Sequence, residues 1–143
     1  MPRPRAVLLA LCLLAAAPAV AQEARRVSLD ILVTHVSQSP GPIDPSAAEL
    51  HRQLREDFRY ESLRVLEHRS LQLALDEIGQ MKLPNGRWVR VRPLNVTGNR
   101  LLMAVEVEGA VQTDLRMRNH RKVSIGSHRY KDGTLVITFE PSF

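Results

Sequence analysis

Residues 101–117 read LLMAVEVEGAVQTDLRM, and this stretch decides the fold class. Two runs within it alternate with a period of two: Leu101, Met103, Val105 and Val107, then Val111, Thr113, Leu115 and Met117. Such a period places the apolar side chains on one face of a β-strand. Glu106 and Glu108 fall on the opposite face, as expected where a sheet meets water. The stretch therefore predicts two half-buried strands of an antiparallel sheet.

Other parts of the chain show the same alternation. The further predicted strands are Val27–Thr34, Trp88–Arg92, Val123–Ile125 and Leu135–Phe139. Asn85-Gly86 and Asp132-Gly133 each precede one of these strands, and such dipeptides are strong hairpin signals. Asn95 to Asn99 is interpreted as another turn. Short strands separated by polar turns are typical of an antiparallel β-sandwich or a partly open barrel.

One segment has the period of a helix instead. Asp44 can accept hydrogen bonds as a cap, and Pro45 suits the first helical position. Apolar residues then recur at four-residue intervals: Leu50, Leu54 and Phe58. We therefore predict one amphipathic helix near the N-terminus, over Pro45–Asp57. With the strands, this helix makes the fold class α+β.

The segment from Tyr60 to Ile78 fits two interpretations. A helical stripe would contain Leu63, Leu66, Ser70, Ala74 and Ile78. Alternation at period two is seen in two groups: Leu63 and Val65, then Leu71, Leu73 and Leu75. The second pattern favours two strands, and the helix stays open as the alternative.

Residues 1–21 have the three parts of a secretory signal. Met1 to Arg5 form a short cationic segment, Ala6 to Ala17 form an apolar run, and Ala19 to Ala21 offer small residues to signal peptidase. The apolar run is shorter than the ~20 residues that a membrane span needs. We therefore expect cleavage, no transmembrane segment afterwards, and a periplasmic or secreted protein. Residues 22–143 would form a single β-rich domain.

Removal of residues 1–21 changes the composition of the chain. Cys12, the only cysteine, is lost, so the mature domain has neither a disulfide nor a thiolate ligand. Arg3 and Arg5 are lost as well, which leaves 18 of the 20 basic residues against 15 acidic ones, a net charge of +3. A domain of this kind depends on its hydrophobic core for stability.

The sequence lacks the motifs of common catalytic and cofactor sites. It has no Gly-x-Ser-x-Gly elbow and no glycine-rich phosphate loop. Its histidines lack the spacing of metal ligands: His35, His51, His68, His120 and His128. We therefore predict no catalytic residue, no metal site and no cofactor, and a protein that is not an enzyme. A small enzyme with a site assembled from His120, Ser127 and His128 is the second alternative.

Basic residues are the most suggestive polar feature. One strand carries Trp88, Arg90 and Arg92 on a single face, and another carries Arg116 and Arg118. If those faces adjoin, they form a basic patch with one aromatic platform, suited to acidic polysaccharide or lipid headgroups and less so to nucleic acid. The competing interpretation is a water-facing sheet on which these residues pair with neighbouring carboxylates: Glu106, Glu108 and Asp114.

Several segments together resemble a loose group of small exported bacterial proteins with no assigned activity: Phe58-Arg-Tyr60, Leu63-Arg-Val-Leu66, Leu83-Pro-Asn-Gly-Arg87 and Asp132-Gly-Thr-Leu-Val-Ile137. The resemblance covers most of the mature chain. It implies no catalytic residues and no cofactor, and it favours two strands over a helix in residues 60–78.

The leading hypothesis from the sequence is a non-enzymatic binding or accessory module that acts through a protein partner in the cell envelope. A small β-domain leaves edge strands that can accept a partner strand. The first predicted strand, Val27–Thr34, and the last, Thr134–Glu140, are the expected edges. Binding of an anionic polymer by the basic face is the first alternative.

Overall fold

The computed structural model describes residues 25–143, which form eight β-strands and one α-helix. The strands are β1 (Arg26–Ser37), β2 (Ser62–Ala74), β3 (Gly79–Lys82), β4 (Trp88–Thr97), β5 (Arg100–Val107), β6 (Val111–Arg118), β7 (Val123–Tyr130) and β8 (Gly133–Ser142). The helix is α1 (Ala48–Asp57), and a 3₁₀ turn (Pro45–Ala47) precedes it. The predicted signal, with Cys12, lies outside the described residues.

The strands form two antiparallel sheets of four. Sheet A has the order β2-β1-β8-β7, and sheet B has the order β3-β4-β5-β6. This arrangement confirms an α+β fold built mainly on an antiparallel sandwich. Within residues 25–143 the two sheets do not close into a barrel, and the helix follows β1 instead of lying at the N-terminus.

The main core lies between the two sheets. Sheet A contributes buried side chains from its two central strands: Val27, Leu29, Ile31 and Val33 of β1, with Leu135, Ile137 and Phe139 of β8. The alternating residues of sheet B meet them: Val89, Val91, Leu101, Met103, Val105, Val107 and Met117. Full burial of one such side chain contributes about 1.5–3 kcal/mol. Period-two alternation in the sequence therefore corresponds to one face in this core.

A second core lies on the other face of sheet A, under α1. Leu50 and Leu54 of the helix are buried there against Val36 and Leu63, and Phe58 is partly buried beside them. Asp44 accepts a hydrogen bond from the backbone N–H of Ser46 and so starts the 3₁₀ turn that leads into the helix. The molecule thus has three layers: helix, sheet A and sheet B.

Residues 62–74 form one continuous strand, so strand was the right choice over helix, but the prediction of two strands was wrong. The register of β2 against β1 shifts where Val65 and Glu67 pair with Thr34 and Val33. Leu66 is the extra residue at this bulge. Before the bulge the odd-numbered residues face the helix, and after it they face sheet B. Because the apolar alternation changes face at the bulge, the sequence shows two separate alternating groups within this one strand.

The strands expected at an edge lie at the centre of sheet A. β1 pairs with β2 on one side and with β8 on the other, and β8 also pairs with β7. The edge strands are β2 and β7 in sheet A and β3 and β6 in sheet B. The buried run from Leu135 to Phe139 shows in addition that both faces of β8 are covered, one by sheet B and the other by α1.

No helix within residues 25–143 is long and apolar enough to cross a membrane.

Candidate functional site

The outer face of sheet B, which points away from sheet A, is not covered by any other element of residues 25–143. Helix α1 packs on the far side of sheet A, so it leaves this face open. The residues that alternate with the core residues of sheet B point outward. Nine of them are charged, counting Glu108 directly after β5: Lys82, Arg90, Arg92, Arg100, Arg116, Arg118, Glu106, Glu108 and Asp114.

Most of the net charge of the described residues lies on this face. Six cationic side chains point outward from sheet B against three anionic ones, which is an excess of three positive charges. Residues 25–143 contain 18 basic and 14 acidic residues, an excess of four. The remaining surface of the described residues is therefore close to neutral in balance.

All five residues predicted for a basic patch lie on this face, but they do not form one contiguous group. Trp88, Arg90 and Arg92 belong to β4, whereas Arg116 and Arg118 belong to β6. Strand β5 separates the two groups. The predicted faces therefore share a surface without being neighbours.

Arg100, which the sequence analysis missed, helps to link the two groups. It is the first residue of β5 and pairs directly with Arg118 of β6. The sequence pattern predicts a turn over residues 95–99, but β4 continues to Thr97 and only Gly98 and Asn99 make the turn. Recognising a two-residue hairpin would have placed Arg100 in a strand, with the same outward parity as Leu102.

Together the cations form a diagonal band that we call the basic stripe: Lys82, Arg90, Arg92, Arg116, Arg100 and Arg118. It runs from β3 to β6 across the register of the sheet. Strand spacing and rise give it a length of about 30 Å. The three acidic residues of the face, Glu106, Glu108 and Asp114, lie to one side of it. The basic stripe therefore runs diagonally across the strands, from β3 at one edge of sheet B to β6 at the other.

The end of the stripe at β3 and β4 has internal partners. Arg90 Nη1 lies 3.8 Å from Glu106 Oε1, an exposed ion pair of the kind that contributes little to stability. Lys82 Nζ lies 5.9 Å from the centroid of the Trp88 ring. The backbone N–H of Trp88 donates to the Glu108 carboxylate at 3.0 Å. Trp88 is half-buried and Lys82 lies over its ring, so less of the ring is open to a ligand than the sequence predicts.

The opposite end, formed by Arg100, Arg116 and Arg118, is different, and we call it the arginine cluster. Within residues 25–143 no carboxylate comes within 4 Å of any of the three guanidinium groups. Two like charges directly opposite each other on a sheet destabilise it. The cluster also borders a shallow depression together with Thr97 and Leu102. It is therefore an uncompensated cationic site on an open surface.

The residues of the enzyme alternative are not joined into a catalytic arrangement. Ser127 Oγ donates to the backbone carbonyl of Leu135 at 3.0 Å, and the backbone N–H of His120 donates to Pro141. Both ring nitrogens of His128 are buried without a hydrogen-bond partner. Among residues 25–143, no hydrogen bond links His120, Ser127 and His128, and no cluster of three metal-ligating side chains is present.

The groups with perturbed pKa values lie away from the basic stripe. Hydrogen bonds from the side chains of Ser37 and Ser39 lower the pKa of Asp132, in the turn between β7 and β8. Hydrogen bonds from Ser46 lower the pKa of Asp44, and burial raises that of Tyr60. Asp132 bonds to Ser37 of β1, Asp44 caps the 3₁₀ turn and Tyr60 bonds to His51 of α1, so the shifts arise from contacts that hold the fold together.

Comparison with protein families, curated proteins and solved structures finds no match for this chain. The case for a function therefore depends on the outer face of sheet B itself.

Proposed function

We propose that this protein is a non-enzymatic binding module that holds a linear polyanion, such as an acidic polysaccharide, along the basic stripe. One observation carries the proposal: three of the four excess positive charges of the described residues lie on one uncovered sheet face. A surface with a concentrated charge attracts oppositely charged partners and raises their rate of association.

The shape of the stripe favours an extended polymer over a small ligand. Its cations are spread over about 30 Å, far more than a single anionic group spans. Each exposed contact between a cation and an anion contributes at most about 1 kcal/mol. Useful affinity therefore requires several contacts at once, and such binding weakens steeply as salt screens the charges.

Heparin serves as the probe for this proposal. We expect the Arg90→Glu/Arg92→Glu double variant to bind at least about tenfold more weakly than the original protein at low ionic strength, because two contacts become repulsive. The matched control is Arg64→Glu/Arg69→Glu on β2, which makes the same change in net charge away from the stripe. Affinity is measured by isothermal titration calorimetry at two or more salt concentrations.

Two results would contradict the proposal. An equal loss in the stripe variant and the control would mean that net charge alone governs binding. Unchanged heparin affinity in the stripe variant would mean that the face does not bind polyanions at all.

A second proposal, which assumes that the protein is exported, is that it binds a protein partner in the cell envelope. The observation in its favour is the outer edge of β2, a strand of 13 residues: Ile43 bridges to Leu63 at one end of this edge, and no strand of sheet A within residues 25–143 covers the rest. A partner strand added there would extend sheet A. Mild crosslinking in the native cell envelope tests it: one dominant protein crosslinked through β2 supports the proposal, and recovery of polysaccharide alone contradicts it.

A further inference from the structure

We infer that the arginine cluster, Arg100 with Arg116 and Arg118, is a binding site for a single phosphate monoester group. The inference deepens the proposed function and rests on it, since it names the chemical group that the ligand presents at this end of the stripe.

The register of β5 against β6 brings the three arginines together. Arg100 and Arg118 are directly opposite, so their Cα atoms are about 4.5–5.5 Å apart. Arg116 pairs with Leu102 and is therefore the diagonal neighbour of Arg100, at about 7–8 Å. All three side chains are exposed and leave the same face of the sheet. Their guanidinium groups can consequently surround one small anion.

Strand β4 adds a polar wall to this site. Thr97 pairs with Arg100, and Asn95 pairs with Leu102 in the next row. Asn95 Nδ2 donates to Thr97 Oγ1 at 3.3 Å, which uses the hydroxyl as an acceptor and leaves its proton free to donate. An anion among the arginines would therefore meet a neutral donor as well. Leu102 forms the apolar floor of the depression.

Among the described residues, no neighbouring carboxylate neutralises the arginine cluster, so an external anion would be bound favourably there. The nearest charged residues on the same face are Asp114, two positions along β6 from Arg116, and Arg92 on β4. Asp114 is about 6.7 Å along the strand from Arg116, and its carboxylate makes no ion pair within 4 Å with any of the three guanidinium groups. The other end of the stripe is compensated by Glu106, whereas this end is not. A bound anion would relieve the repulsion between Arg100 and Arg118.

The chemistry of the site favours phosphate over carboxylate. A phosphate monoester carries a charge of about −1.5 to −2 at pH 7 and three strong acceptor oxygens. Guanidinium groups bind such oxygens in bidentate fashion. Three arginines therefore match three oxygens and two charges, whereas a carboxylate offers two oxygens and one charge. A sulfate ester has the same shape but carries a single charge.

The first experiment titrates the protein with glucose 6-phosphate, glucose 6-sulfate and glucuronate at low salt, by calorimetry at pH 7.5 and pH 5. We expect glucose 6-phosphate to bind about tenfold more tightly than glucuronate at pH 7.5. Its affinity should fall several-fold at pH 5, because the second phosphate pKa is about 6. The sulfate should bind equally at both values. Equal affinity for phosphate and glucuronate, or no fall at pH 5, would overturn the assignment.

Variants locate the site. Arg100→Gln and Arg118→Gln should each weaken binding of glucose 6-phosphate about tenfold, whereas Arg69→Gln on β2 should change it less than about twofold. All three positions are exposed, so unchanged urea midpoints would show that folding is intact. Unchanged phosphate affinity in both cluster variants would overturn the inference.

A further experiment with lipid vesicles distinguishes a lipid headgroup from a saccharide as the source of the phosphate. Binding to phosphatidic acid, a monoester lipid, but not to phosphatidylglycerol, a diester lipid, would support the site with a headgroup as its source. Binding to glucose 6-phosphate alone would support it with a saccharide source.

The inference and the proposed function fail in different ways. If heparin binding depends on Arg90 and Arg92 while the cluster variants leave phosphate affinity unchanged, only the inference is overturned. If glucose 6-phosphate binds through the cluster but heparin does not bind, only the proposed function is overturned. If neither ligand binds, both are overturned.

Discussion

Gly133 occupies a position that no larger residue can take. A Cβ atom built there would lie 2.0 Å from the carbonyl oxygen of Val36 and 2.8 Å from Nε2 of His35. The first clash is with backbone, so relief would require β8 to move away from β1. The Asp132-Gly133 pair was interpreted as a turn signal, but the residue with a positive φ in this turn is Lys131. Gly133 is therefore needed for close approach between strands.

We predict that Gly133→Ala lowers the free energy of unfolding by more than about 3 kcal/mol, because the overpacked position sits between the two central strands. Urea denaturation followed by circular dichroism measures the change. The control is Gly86→Asn, at a φ of 84° with no atom within 4 Å of the added carbon. Asparagine tolerates this conformation, so its cost should stay below about 1 kcal/mol. Equal costs for the two variants would show that the close approach at Gly133 is wrong.

At the scale of the element, α1 depends on the sheet beneath it. It has ten residues, fewer than the ~12–15 that an isolated helix needs in water. Leu50 and Leu54 supply its buried face, and each is only 2% exposed. The helix in turn covers Val36 and Val136 of sheet A. Helix and second core therefore stabilise each other.

We predict that Leu54→Ala lowers the free energy of unfolding by about 2–5 kcal/mol, since it removes a buried side chain and leaves a cavity. Gln53→Ala is the matched control, because Gln53 is exposed on the same helix and alanine favours helix formation. Its effect should stay within about 0.5 kcal/mol. Both values come from urea denaturation, and a cost below about 1 kcal/mol for Leu54→Ala would mean that the helix is not tightly packed on sheet A.

Most elements could be predicted because their signals are local. The alternation in residues 101–117 matches β5 and β6, and the predicted helix over Pro45–Asp57 matches the 3₁₀ turn followed by α1. The bulge at Leu66 could not be predicted in this way. It is defined by pairing with Val33 and Thr34, which lie more than thirty residues earlier in the chain.

Two predictions failed because they depended on strand order. One placed β1 and β8 at the edges of a sheet, and the other made the basic groups of β4 and β6 neighbours. Parity along a strand correctly placed Arg90 and Arg116 on the outward side of their strands. Whether the two strands adjoin depends on the order of sheet B, which no local pattern contains. The order of sheet A is likewise absent from local pattern, because β1 and β8 both alternate in the sequence and such alternation does not tell a central strand from an edge strand.

At the scale of the whole molecule, charge is segregated. The outer face of sheet B holds three of the four excess positive charges of residues 25–143, and the rest of the described surface is close to balanced. The repulsion is greatest where Arg100 faces Arg118 without a carboxylate within 4 Å among residues 25–143. Free of ligand, the protein keeps an unfavourable electrostatic arrangement in the arginine cluster.

We predict that Arg118→Glu raises the free energy of unfolding by about 0.2–1 kcal/mol at low salt, because a like-charged pair becomes an opposite one. The gain should vanish near 1 M salt, where the Debye length is about 3 Å. Urea denaturation at both salt concentrations measures it. Arg64→Glu on β2 is the control for net charge alone, and an equal gain there would contradict a specific repulsion in the cluster.

The pairing of β1 with β8 also has a consequence for the order of folding. In sheet B, each strand pairs with the next one along the chain across a short turn, so its hydrogen bonds join residues close in sequence. In sheet A, Ser37 pairs with Gly133, and residues 38–132 form the loop that this contact closes. Closing a long loop costs entropy before any contact compensates it, and non-local strand pairing slows folding. The rate at which this molecule reaches its native state is thus governed by the meeting of two distant strands, and the many tight turns have little influence on it.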